Sequence, residues 1–241
     1  MRAETRHQLK QDRFSRATIG AAEATVHWTV EHKTRLVFGG VTLAVVLAIA
    51  VGGWYYLNQQ DQKASIQLNQ AIRTLDTPIR PAGAPAEPDA PSFASAKERA
   101  TQAQKQFQAI VDSYPHTRTG EFARYFMGLS ASQLGDNGMA ERELKQVASS
   151  HNDDLAALAK MALATVFRNT NRTKDAIDLY NSLIAKPART VSKATAQMEL
   201  ADTYSASQQP AEAKRIYEQM QKENPATDVA QFATQKLQQL K

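Results

Sequence analysis

The chain contains no cysteine among its 241 residues. That removes any thiol nucleophile and any lipidation cysteine, and it leaves the redox compartment unmarked by disulfides. Glycine is sparse at ten residues, and no glycine-rich phosphate loop is present. Of the five histidines, His27 and His32 flank Glu31 with a spacing that misses the i, i+4 pair of a zinc helix. His116 and His151 each follow an amphipathic run and read as turn histidines. Glu and Lys pairs along the helical stretches read as solvated charge. No catalytic, metal or cofactor site is expected, nor a small-molecule substrate, so the chain does not read as an enzyme. Net charge is only +5, and the first 35 residues, with seven basic and four acidic side chains, hold three of those units. The remainder is close to neutral, so composition gives little reason to expect a nucleic-acid partner. An NRT triplet at 171–173 matches a glycosylation sequon, a signal too short to carry weight alone.

What is present is periodic. In "AEAKRIYEQMQKENP", residues 211 to 225, Ala213, Ile216, Tyr217 and Met220 fall at i, i+3, i+4 and i+7, one apolar helical face ended by Pro225. The same offsets recur. Ala103, Phe107, Ile110 and Pro115 fit all four positions. Ala140, Leu144 and Val147 fit three, with Asn152 in place of proline. Ala176, Tyr180 and Leu183 fit with Pro187 one residue early. The four alanines lie 36 to 37 residues apart, the signature of a helical array.

A preceding helix is visible in three copies. Twelve residues before the alanine stands Gly128, Ala164 or Ala201, each preceded by Met127, Leu163 or Leu200 and followed three residues on by Ala131, Phe167 or Tyr204. A glycine inside a helix costs about 1 kcal/mol against alanine, so Gly128 is expected at a close helix contact.

These motifs resemble the tetratricopeptide repeat. Residues 121–154, 157–190 and 194–227 match as repeats two to four, the last most fully, through Leu200, Ala201, Tyr204, Ala213, Tyr217 and Pro225. The second and third depart from the family pattern at the final proline, and the spacing is two to three residues longer than usual. The opening copy lacks a normal first helix, because five of the nine prolines fall in "TPIRPAGAPAEPDAP", 77–91. Its partner is expected in 59–75, with Ile66, Ala71, Ile72 and Leu75 on its apolar face and the proline-rich stretch as a long exposed loop. Val229, Phe232, Ala233, Leu237 and Leu240 suit a C-terminal helix that caps the array.

Leu36 to Leu57 carries no charge and is long enough to span a bilayer. About 35 residues precede it, and no small-x-small cleavage site follows closely, so it reads as an uncleaved anchor rather than a signal peptide. Trp54, Tyr55 and Tyr56 suit the far interface. Lys33 and Arg35 abut the near end and only Lys63 lies close on the other side, which predicts a cytoplasmic N-terminus and exported repeats, periplasmic in a bacterial inner membrane. Within the span Gly40, Ala44, Ala48 and Gly52 make a small-residue stripe of the kind that lets membrane helices pack. In the N-terminal segment Ile19, Ala22, Val26 and Val30, with Trp28 beside them, suggest a helix lying along the membrane surface; a flexible charged tail fits the sequence equally.

The expected fold is therefore all-α: a cytoplasmic segment 1–35, one transmembrane helix 36–57, and a tetratricopeptide-like α-solenoid 58–241. The solenoid would hold about four helical hairpins, the proline-rich loop 77–91 and a capping helix. In the family the first helices line a protein-binding groove. Carried over position by position, the resemblance implies Phe122, Tyr125, Leu129 and Gln133, then Leu158, Met161, Thr165, Arg168 and Asn169, then Thr195, Met198, Asp202 and Ser205. Tyr125, Met161 and Met198 occupy a site where the subfamily that grips chaperone C-termini has lysine, so that clamp is not expected. Met and aromatic side chains suit looser contact with varied apolar segments.

This order of parts resembles the ancillary subunit of the bacterial Sec translocon. The resemblance implies protein partners: the translocon or a periplasmic chaperone, and exported clients. The junction "DSYPHTRTGEFARYFMG", 112–128, is also similar to repeats of envelope-assembly and cell-division coordinators, which leaves a structural scaffold as an alternative. A regulator of a separate catalytic chain is a further one.

Overall fold

The computed structural model describes residues 32–81, 83–85 and 91–240. The N-terminal stretch with Ile19, Ala22, Val26, Val30 and His27 lies outside the described residues, as does part of the proline-rich loop. Among the described residues nine helices follow one another: α1 Lys33–Asp76, α2 Ala96–Ser113, α3 Arg118–Gln133, α4 Asn137–Ala148, α5 Asp153–Asn169, α6 Thr173–Ala185, α7 Lys193–Ala206, α8 Pro210–Glu223 and α9 Asp228–Gln239. The fold is all-α. The chain divides into two compact units between Tyr56 and Leu57.

Helix α1 holds both the uncharged run and the expected first repeat helix without a break. No glycine or proline lies between Trp54 and Asp76 to end it. From Lys33 to Gln59 every side chain is exposed, and α1 is long and apolar enough to cross a membrane.

In the second unit the helices from α2 to α9 each pack on the next, and α3 also touches α5. Pairwise stacking of this kind is the tetratricopeptide-like solenoid. The periodic residues are its core. Ala103, Ala140, Ala176 and Ala213 are all 0% exposed, and Phe107, Leu144, Tyr180 and Tyr217, four residues on, are at most 1% exposed. The small residue on one helix admits the backbone of the next, and the large one fills the groove beside it.

The turns repeat as faithfully. Gly135, Asn171 and Gln208 adopt left-handed φ values of 81°, 59° and 60°. In each case the next N–H donates to a carbonyl five residues back: Asp136 to Ala131 at 2.9 Å, Arg172 to Phe167 at 2.8 Å and Gln209 to Tyr204 at 2.8 Å. This is the helix-ending motif that glycine or asparagine serves best. Helix starts are capped by Ser95, Thr117, Asp136, Asn152 and Ser192, whose side chains accept backbone N–H groups. Asn152, at the position where the family pattern has proline, thus caps α5.

The first hairpin forms as expected between the later part of α1 and α2, with one adjustment. Ala64 and Ala71 share a buried cluster with Ala103, Phe107, Ile110 and Met127, flanked by Leu68, Ile72 and Leu75. Ile66 is not on that face; it is 70% exposed. The stripe that packs is Ala64, Leu68, Ala71, Ile72 and Leu75, a helical period that Ile66 falls outside. Asp61 ties this segment to α3, accepting the Thr119 N–H at 2.8 Å. The base of the proline-rich loop is also closed: the Arg80 N–H donates to the Phe93 carbonyl at 2.9 Å and the Phe93 N–H to the Pro78 carbonyl at 3.0 Å. At the other end α9 covers the array with Ala233 buried and Val229, Phe232, Leu237 and Leu240 packed against the core.

Candidate protein-binding groove

The first helix of each hairpin in the array, α3, α5 and α7, and then α9, lie side by side. Contact between α3 and α5 is direct. Arg168 on α5 pairs with Glu199 on α7 at 2.9 Å, and Asp202 on α7 pairs with Lys236 on α9 at 3.0 Å. These helices form one wall, and the residues the family pattern assigns to a groove fall on it.

Tyr125, Met161 and Met198 are all half-buried and packed against the main core. Each shows part of an apolar side chain at the same repeat position. Phe122 is 36% exposed, and Leu129 and Leu158 are half-buried. The Tyr125 ring meets Phe126 edge-on at 5.4 Å, and Phe126 stacks on Phe107 at 5.4 Å. This aromatic row continues from the core to the surface, which holds Tyr125 in place. Burial pushes the Tyr125 phenol above its usual pKa, so it stays neutral.

Two charged residues of the candidate groove, Arg168 and Asp202, have internal partners. Arg168 is committed to Glu199. Asp202 accepts the Tyr217 hydroxyl at 2.6 Å as well as Lys236. Burial, and then the bond to Asp202, raises the Tyr217 pKa. Gln133, Thr165, Asn169 and Thr195 are exposed and Ser205 is half-buried. The wall thus has two halves: an apolar one around Tyr125, Leu158 and Met161, and a charge-paired one from Arg168 to Lys236.

Glu199, Lys236 and Phe126 are the wall residues that repeat matching overlooks. A signal for the first two exists: Arg168 and Glu199 lie 31 residues apart, and Asp202 and Lys236 lie 34 apart. Opposite charges close to one repeat apart on first helices are placed to meet. His116 and His151 stand on successive inter-repeat turns and line one open cleft with Arg118 and Glu121. Among the described residues no cluster of three or more His, Cys, Asp or Glu side chains is arranged to hold a metal ion. Gly40, Ala44, Ala48 and Gly52 form an exposed line on α1, and a methyl carbon added at Gly40 or Gly52 would meet nothing within 4 Å.

The family described as a tetratricopeptide repeat-like domain matches residues 26–241. Comparison with curated proteins and with solved structures finds no match.

Proposed function

The chain belongs to the tetratricopeptide repeat-like domain family, and from that premise we propose that it is a membrane-anchored, non-catalytic module whose inner wall holds apolar segments of exported proteins. Tetratricopeptide-like repeats are usually interaction modules rather than enzymes, so protein partners follow from the family. The observation that carries the finer reading is the line of Tyr125, Met161 and Met198. All three show apolar surface at one repeat position, where a charge-reading groove would place basic residues.

The anchor is the uncharged part of α1, inserted with Lys33 and Arg35 in the cytoplasm and the repeats in the periplasm. The domain order 1–35, 36–57 and 58–241 follows from that topology. Within the membrane, the stripe of Gly40, Ala44, Ala48 and Gly52 is the face that would meet another helix. Such a protein stands where chains emerge from an inner-membrane translocon. Assisting newly exported proteins there, as an ancillary translocon or chaperone-network subunit, is the role that joins an apolar groove to this anchor.

Photocrosslinking in intact membranes tests this. A photoreactive residue at position 161 should capture translocon components and many exported proteins. Capture of one envelope protein in fixed stoichiometry would instead mark the chain as a scaffold.

A further inference from the structure

The chain has six methionines and no cysteine, so thioethers are its only oxidisable sulfur. Their surroundings differ. Met127 and Met220 are sealed in the core at 1% and 0% exposure. Met139 is half-buried on α4, away from the groove line, and its sulfur accepts a hydrogen bond from the Gln104 amide on α2 at 3.1 Å. Met161 and Met198 are half-buried on the groove wall at equivalent positions of successive repeats.

We propose that Met161 and Met198 are oxidation sites through which peroxide switches off apolar binding in the groove. This rests on the groove reading above. The thioether sulfur attacks one peroxide oxygen with a lone pair. The O–O bond breaks, an S–O bond forms, and the displaced hydroxide takes the remaining proton and leaves as water. Sulfur loses two electrons and the peroxide is reduced. The product sulfoxide is polar and chiral, and methionine sulfoxide reductases restore the thioether. A soft, adaptable contact then becomes a polar one that an apolar segment must desolvate. The two sites share one position in successive repeats, so oxidation changes the same face of α5 and of α7. The core methionines are shielded, so the array survives.

The test uses the full-length protein in detergent micelles, hydrogen peroxide, and a fluorescein-labelled peptide with Leu and Phe at i, i+3, i+4 and i+7. Peptide mass spectrometry should find Met161 and Met198 oxidised at least about tenfold faster than Met127 and Met220. Peptide affinity should fall about tenfold, helical circular dichroism should be kept, and the reductase should restore binding. A Met161→Leu, Met198→Leu variant, whatever its own starting affinity, should lose none of it on peroxide treatment, whereas Met139→Leu should stay sensitive. The proposal is overturned if core methionines oxidise as fast, if binding survives full oxidation of both groove sites, or if helicity falls together with binding. A Met161→Ser, Met198→Ser variant separates the two readings. If it too binds the peptide normally, the groove assignment fails and the oxidation switch fails with it. If it binds weakly while the oxidised parent binds normally, only the switch fails.

Discussion

Leu144 lies so close to Gly128 that a methyl carbon on the glycine would stand 2.7 Å from Leu144 Cγ and 3.0 Å from Cδ2. Helix α3 meets α4 here at a distance only glycine allows. Gly128→Ala gains about 1 kcal/mol of helix propensity but must push Leu144 aside, so a net destabilisation of roughly 1–2 kcal/mol is expected. Gly138→Ala on α4 is the contrast, because its added carbon would meet only Asp136 Oδ1 at 3.7 Å. That variant should gain up to about 1 kcal/mol. Thermal melts of the two proteins should move in opposite directions.

The left-handed turn residues give a second prediction. Gln208 holds φ 60° where the equivalent turn uses Gly135. Gln208→Gly relieves the side-chain clash of that conformation at some entropic cost, for a net gain of roughly 0.5–1 kcal/mol. Chemical denaturation with an unchanged slope would measure it.

Acid should loosen the last hairpin through Glu223. Bonds from Gln219, Lys193 and Gln197 hold its carboxylate at about 2, down from 4.5. The folded value is depressed, so the contribution to stability is fully present above about 4.5 and is lost as pH falls towards about 2. Its size is modest, because the group is largely exposed and screened. Glu223→Gln should therefore be less stable than the parent at neutral pH, and the gap should close over that acid window. A gap that persists at pH 2 would mean the carboxylate charge is not what matters.

The topology is checked by protease added outside spheroplasts. The repeats should be digested, beginning at the exposed part of the 77–91 loop, while residues 1–35 stay protected. Cleavage confined to the N-terminal segment would reverse the orientation.

Much of the solenoid is legible in the sequence because its spacing rule is strict. Gly128 and the alanines at 103, 140, 176 and 213 sit where helices touch, and each is fixed by its distance from a large residue. The first hairpin is less legible. Ile66 is the obvious apolar residue in that segment, yet the face that packs follows Ala64 and Leu68, because alanine marks a helix contact that hydrophobicity alone underweights. The lengthened spacer before α7 makes contacts no local pattern shows. Asp154 accepts the Arg189 N–H at 3.1 Å and its Nε–H at 2.9 Å, and the Thr190 hydroxyl bonds the Asp154 carbonyl at 2.6 Å. Of the candidate groove, the shared position of Tyr125, Met161 and Met198 could be read from the repeat register, whereas the Arg168–Glu199 and Asp202–Lys236 pairs require helices to be set side by side.

The proposed contact of Tyr125, Met161 and Met198 with apolar protein segments carries the functional reading. Its most direct test is fluorescence anisotropy of the labelled Leu/Phe peptide against the full-length protein and a variant with all three changed to serine. The three side chains are half-buried on the surface of the core, so the variant should keep its helical circular dichroism while melting below the parent. Its affinity for the peptide should fall about tenfold or more. A folded triple variant that binds the peptide as tightly as the parent would mean that these three side chains do not hold apolar segments.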